Sequence, residues 1–167
     1  MTTIYYDDAY VGTGTDFDTT RKSADIAKLI IKDCWVDIEL AEPTAQSLAR
    51  AESLILSMLD SEYAHALATG EPRNLAESNG FSWDEGIWNM AVHSTAGGLS
   101  ATDDALAGGL NHRIHGSLSS GLHHATPYAG EGFCTVNGLA IAAYYARHYL
   151  GLTKKVFMLD FDAHCGG

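Results

Sequence analysis

An α/β fold with a mainly parallel sheet flanked by helices is predicted by three observations. Short β-type runs alternate with helical periodicity along the 167 residues, the pattern of a parallel sheet with crossover helices. The run Val156–Phe161 is almost wholly apolar, as expected of a strand covered on both faces. The residues richest in chemistry, His123, His124, Asp162 and His164, follow predicted strands, where ligands bind in such sheets.

In order, Thr3 to Tyr6 reads as a first strand, ended by Asp7-Asp8 and the Gly/Thr-rich turn 12–15. Asp18 or Thr19 caps a helix through about Ile31, with Ile26, Leu29 and Ile30 on its inner face. Val36, Ile38 and Leu40 alternate with Asp37 and Glu39, the period of a half-buried strand. Pro43-Thr44 opens one long helix carrying Leu48, Ile55, Leu59, Tyr63 and Leu67, stopped by Gly70 and Pro72. Glu71 to Ser82 is a polar loop. A second long helix spans about Asp84 to Leu106, with Gly97-Gly98 in its middle marking close packing against a neighbour. His93 on this helix reads as a partly buried or surface histidine. Arg113 to Leu118 is a strand feeding the His-His loop; no role is assigned to the flanking Asn111, His112 and His115. Val136 to Leu150 has helical spacing, with Gly151 as its C-cap.

The length suits a single domain, residues 1–167. With 46% hydrophobic and 19% charged residues the chain is globular in composition. No apolar run is long enough for a bilayer, and the N-terminus lacks a signal peptide's basic start and apolar core. A cytoplasmic protein with no membrane partner is therefore expected. Ten Lys and Arg against 21 Asp and Glu give a net charge of −11, which repels nucleic-acid backbones and tolerates cationic partners. Three widely spaced cysteines, Cys34, Cys134 and Cys165, suit a reducing compartment and argue against a disulfide framework.

Two motifs carry the chemistry. In Asp160-x-Asp162-x-His164, alternate side chains of an extended segment share a side. Asp162 and His164 can thus converge on one metal ion while Asp160 orients a neighbouring group. Mixed oxygen and nitrogen ligands suit zinc, and a catalytic zinc takes three protein ligands and keeps one open position. The same pattern also describes a capped strand end with solvated carboxylates. His123-His124 lies in a Gly-rich loop. Such a pair can divide hydrolysis, one imidazole as general base and the other donating a proton or steadying an oxyanion. A His-His pair in a loop can also be incidental.

Taken in order, Gly121-Leu-His-His-Ala125, Gly132-Phe-Cys-x-x-Asn137 and Leu159-Asp-Phe-Asp-Ala-His-Cys-Gly-Gly167 resemble the histone deacetylase family of the arginase/deacetylase fold. Tyr5 to Arg21, Asp60-Ser-Glu-Tyr63 and Trp83 to Trp88 resemble further segments of that family. The resemblance implies a zinc-dependent deacetylase, an amidohydrolase that removes acetyl groups from acetyl-lysine or an acetylpolyamine. It implies that His123 pairs with Asp160, that His124 is the general base, and that Asp162 and His164 are zinc ligands. It implies a potassium ion held around Asp160 and the backbone of Asp162 and His164. It also implies that Gly132 and Phe133 line a substrate tunnel, with Cys134 behind it.

The chain departs from the family's His-Gly-Asp-Gly or His-Gly-Asn-Gly at Cys165-Gly-Gly, so Gly167 replaces the group that would orient His124. The third ligand, an Asp, and the carbonyl-polarising Tyr have no counterpart here. The fold is therefore expected to be incomplete at its C-terminus and the chain nearly inactive alone. The missing half would be supplied by another chain or by self-association. Two other readings compete: a non-catalytic remnant or split-enzyme half that binds a partner, and an arginase-like ureohydrolase. The deacetylase pattern of His123-His124 followed by Gly132-Phe-Cys134 ranks the ureohydrolase behind.

Overall fold

The computed structural model describes residues 1–11, 18–33, 35, 37–108, 114–164 and 166; of residues 18–33, side chains are described only from residue 21 onward. Three strands form one parallel sheet: β1 (Thr2–Tyr5), β2 (Ile38–Ala41) and β3 (Gly116–Ser117), in the order β2-β1-β3. Ile4 pairs with Leu40 on one side and with Gly116 on the other. The helices are α1 (Asp18–Lys32), α2 (Ala45–Met58), α3 (Ser61–Thr69), α4 (Arg73–Ala76), α5 (Gly86–Ala107) and α6 (Gly138–His148). The expected α/β class with parallel pairing is what the structure has. Among the described residues, no helix is long and apolar enough to cross a membrane.

Helix α5 organises the packing. It lies against α2, α6, β1 and β3, and its Ile87, Ala96 and Leu99 are buried with Leu54, Ile55 and Val136. Gly97 is required at its centre. A Cβ there would run into the hydroxyls of Tyr10 and Ser117, which are bonded to each other at 3.1 Å. The Gly97-Gly98 pair thus marks close helix–sheet packing, as the sequence suggested. On the far face, Arg50 Nη1 donates to the Tyr145 hydroxyl at 2.6 Å, and that hydroxyl donates to Asp103 Oδ1 at 2.7 Å. This clip joins α2, α5 and α6. Burial, then Asp103 beside it, pushes the Tyr145 phenol up to about 12.

Several boundaries differ from the sequence reading. The single helix expected from Pro43 to Leu67 is two. Leu59 takes an extended ψ of 150°, and Asp60 caps α3 by accepting from Glu62 N at 2.9 Å. A local cap competes successfully with continued helix. The 71–82 loop contains α4, and a 3₁₀ turn, Asp8–Tyr10, follows β1. On α1, Ile30 is buried, but Ile26 and Leu29 are exposed; Ala27 and Ser23 take the inner face instead. Helix α6 ends at His148 with Tyr149 as its C-cap, two residues before Gly151. Val36 and Arg113 lie outside the described residues.

The largest correction concerns Val156–Phe161. It is not a strand, and Phe157 and Phe161 are 84% and 88% exposed. Among the described residues no strand lies beside it, and an apolar sequence alone cannot supply the ladder partner that a strand needs.

Two outcomes are expected. Gly97→Ala should lower stability by about 1–3 kcal/mol through overpacking, read from urea denaturation. Tyr145 should ionise with a midpoint of about 12, followed by its ultraviolet phenolate absorbance. Its folded value is raised, so its contribution to stability is complete below about pH 10 and is lost as pH climbs above that.

Candidate functional site

Between β3 and α6 the chain makes a loop pinned at both ends. At its start, Ser119 Oγ donates to Ser94 O of α5 at 2.8 Å. At its end, Asn137 caps α6 by accepting from Ala140 N at 2.9 Å, and its Nδ2 donates to His123 O at 3.2 Å. One side chain therefore both starts the helix and fixes the backbone of the histidine pair. The wall behind is set by Tyr63, which is fully buried and donates to Thr135 O at 2.7 Å; burial raises its phenol well above the ordinary value.

The rings of His123 and His124 lie 4.1 Å apart between centroids, tilted by 45°. His123 Nδ1 is 2.8 Å from Asp160 Oδ2. An ionised carboxylate only accepts, so Nδ1 carries the proton and Nε2 is left as the acceptor. His124 has no hydrogen-bond partner among the described residues, and Gly132 backs its ring: a Cβ at that glycine would sit 2.5 Å from His124 Cδ2.

The acidic segment is a chain of local turns. Asp160 Oδ1 accepts from Asp162 N at 2.9 Å. Asp162 Oδ1 accepts from His164 N at 2.8 Å and lies 2.8 Å from His164 Nδ1. The His123 hydrogen bond and then the Asp162 N–H hold the Asp160 carboxyl below the usual aspartate range. The backbone N–H of His164, then its side chain, do the same for Asp162. Asp162 and His164 thus meet through side-chain-to-backbone turns, which corrects the extended alternation expected of this segment.

A cavity of about 510 Å³ is lined by His123, His124, Gly132, Phe133, Cys134, Asp162 and His164. Six of the seven residues singled out from the sequence therefore share one space, and Asp160 joins them through His123. Cys134 is buried at its wall, with Sγ 3.6 Å from Gly132 O. Cys165 and Gly167 lie outside the described residues. Ser120 and Gly121 of the His-His motif also line the cavity; the sequence reading missed Lys22 and Phe81, which line it too, and Asn79, which supports its lip. Asn79-Gly80 is a turn dipeptide that could have drawn attention to this position. Among the described residues no group of three or more His, Cys, Asp and Glu is placed to hold a metal ion.

A parallel α/β scaffold with these two motifs meeting at one cavity defines an arginase/deacetylase-like protein. The histone deacetylase domain matches residues 24–167, and the chain belongs to that family. It is 33% identical over 87 residues to an uncharacterized protein of Picosynechococcus sp., covering 52% of this chain and 27% of the relative. It is 39% identical over 82 residues to the acetoin utilization protein AcuC of Staphylococcus aureus, covering 47% and 20%. It is 35% identical over 79 residues to a probable deacetylase of Methanothermobacter thermautotrophicus, covering 47% and 23%. The solved HDA15 HD domain shares the fold with a TM-score of 0.61 at 17% identity, over 89% of this chain and 44% of that one. The matches thus span less than half the length of these proteins.

Gly132→Ala should displace the His124 ring, because the added methyl meets it at 2.5 Å and the backbone there has φ +54°. A crystal structure of the variant, with the ring rotated or the turn shifted, is the expected outcome. A stability loss of about 1–3 kcal/mol should accompany it.

Proposed function

We propose that residues 1–167 form a single deacetylase-like domain carrying part of a zinc-dependent site for acetyl-lysine or acetylpolyamine. The observation that supports this best is the convergence of His123, His124, Asp162 and His164 on one cavity, with Asp160 on the back of His123. The donor set fits zinc. A carboxylate oxygen and an imidazole nitrogen, Asp162 Oδ1 and His164 Nδ1, lie 2.8 Å apart, and these are donor types that zinc takes. When bound, Zn²⁺ would lower the pKa of a water and polarise the scissile carbonyl.

The chain's own groups then divide the work. Asp160 fixes the tautomer and angle of His123. His124, free of hydrogen bonds to the described residues, takes a proton as general base. His123, once Nε2 is protonated as well as Nδ1, gives that proton to the leaving amine or steadies the developing oxyanion. Gly132 and Phe133 border the acetyl-lysine stem. Asp160 and the backbone of Asp162 and His164 would hold a potassium ion. The charge of −11 suits a cationic acetylpolyamine or basic peptide better than a nucleic acid, and a cytoplasmic location goes with this reading.

Two ligands hold zinc weakly. The proposal therefore includes completion by a third ligand and a polarising tyrosine from further chain, a second chain or self-association. A non-catalytic binding role is the second reading, favoured by the exposed apolar run Val156–Phe161. An arginase-like ureohydrolase ranks behind both.

The test is deacetylation of a fluorogenic acetyl-lysine peptide with added zinc, by the 167-residue chain and by Asp162→Ala. Little turnover is expected from either. Strong turnover by the parent chain, abolished in His124→Ala, would overturn the expected inactivity. Equilibrium dialysis should show weak zinc uptake that Asp162→Ala removes. Uptake should also fall as pH drops, because the metal replaces a proton at His164. Zinc uptake unchanged in both Asp162→Ala and His164→Ala would refute the ligand assignment.

A further inference from the structure

The lip of the cavity has an unusual backbone. Glu131 and Cys134 are bonded to each other in both directions, N to O, at 3.1 and 2.8 Å. The two residues between them, Gly132 and Phe133, have φ of +54° and +63°. Two consecutive positive φ values mark a type I′ turn, whose second position suits glycine or asparagine. A phenylalanine held there is disfavoured by roughly 1–2 kcal/mol. Something must hold it.

We infer that Asn79 is the positioning residue for this lip: it keeps Phe133 in the left-handed backbone and so keeps Gly132 seated against His124. Asn79 is 1% exposed and uses three of its polar groups. Its carbonyl accepts from Phe133 N at 2.8 Å. Its Oδ1 accepts from Phe81 N at 2.9 Å, closing a turn over Gly80. Its Nδ2 donates to Thr135 Oγ1 at 3.0 Å, on the far side of the lip.

The neighbouring geometry fits this. Gly130 has no room for a Cβ, which would lie 2.6 Å from Asn79 Cβ. Gly130 N donates to Ser78 Oγ at 2.9 Å, so residues 78 and 79 hold both ends of the turn. The Phe81 ring, placed by the Asn79 turn, stacks on Phe133 at 5.4 Å. A side chain at Gly80 would press the Phe133 ring at 3.1 Å. Asn79 touches neither His124 nor the cavity; it acts through the backbone of Phe133. Burial makes the arrangement demanding, since removing one partner leaves another buried group unsatisfied.

The inference rests on the deacetylase reading only for what the cavity receives, and its test does not need turnover. The His124 ring resonance, identified by its loss in His124→Ala, is recorded at one pH in Asn79→Ala, Thr135→Val and Ser100→Ala. Ser100 is a buried control, whose hydroxyl donates to Ser47 Oγ at 2.9 Å away from the lip. All three variants should lower the urea midpoint. The His124 resonance should shift in Asn79→Ala and Thr135→Val and stay in place in Ser100→Ala. Should Asn79→Ala fail to fold, Thr135→Val alone decides, because it removes the same bond with almost no change of shape. A His124 resonance that moves no further in the lip variants than in the control would overturn the inference. A null deacetylase assay would leave this result untouched.

Discussion

The hydrogen bond between His123 Nδ1 and Asp160 Oδ2 joins the two halves of the site. Among the described residues the segment after α6 has few other ties. Leu152 N donates to Ala146 O, and Arg147 Nη1 reaches Lys154 O; the apolar run that follows is exposed. Asp160 is where this segment returns to the folded body, and Asp162 and His164 then follow within two local turns. The bond is charge-assisted and 2.8 Å long, the kind roughly twice as strong as a neutral one. It orients an imidazole and brings Asp162 and His164 to the same cavity.

The other side of the site is rigid for a different reason. The His-His loop is attached to groups that are themselves buried: Ser119 to the backbone of α5, Asn137 to the first turn of α6, and Tyr63 to Thr135. Helix α5 can approach the sheet closely only because Gly97 leaves space for the Tyr10 and Ser117 hydroxyls. Functional loops carried on such a scaffold keep their geometry without being regular structure themselves. The contrast is between a histidine loop tied to the core and an acidic segment tied to a histidine.

Among the described residues the sheet has three strands in the order β2-β1-β3, with β3 at an edge, and Val156–Phe161 has no strand partner. Unpaired apolar backbone is a template for strand addition. The fold shared with a solved domain covers 89% of this chain but 44% of that domain. The run that lacks a ladder partner among the described residues carries Asp160 and leads directly into Asp162 and His164.

The sequence by itself determined most of the main elements and the candidate residues. Period-3.6 and period-2 patterns located the main helices, β1 and β2, since burial of one face is written locally. The motif residues were legible because imidazoles and carboxylates in Gly-rich loops are chemically conspicuous. Local caps that compete with helix, as at Asp60, were less legible, since Leu48 to Leu67 keeps its period across the break. Only the tertiary structure decided that Val156–Phe161 lacks a strand partner, because pairing is a property of neighbours. Only it showed Asp162 and His164 meeting through turns, and Asn79 bracing a lip more than fifty residues away in sequence. A buried amide looks like any polar loop residue until its hydrogen-bond partners, distant in the chain, are brought beside it.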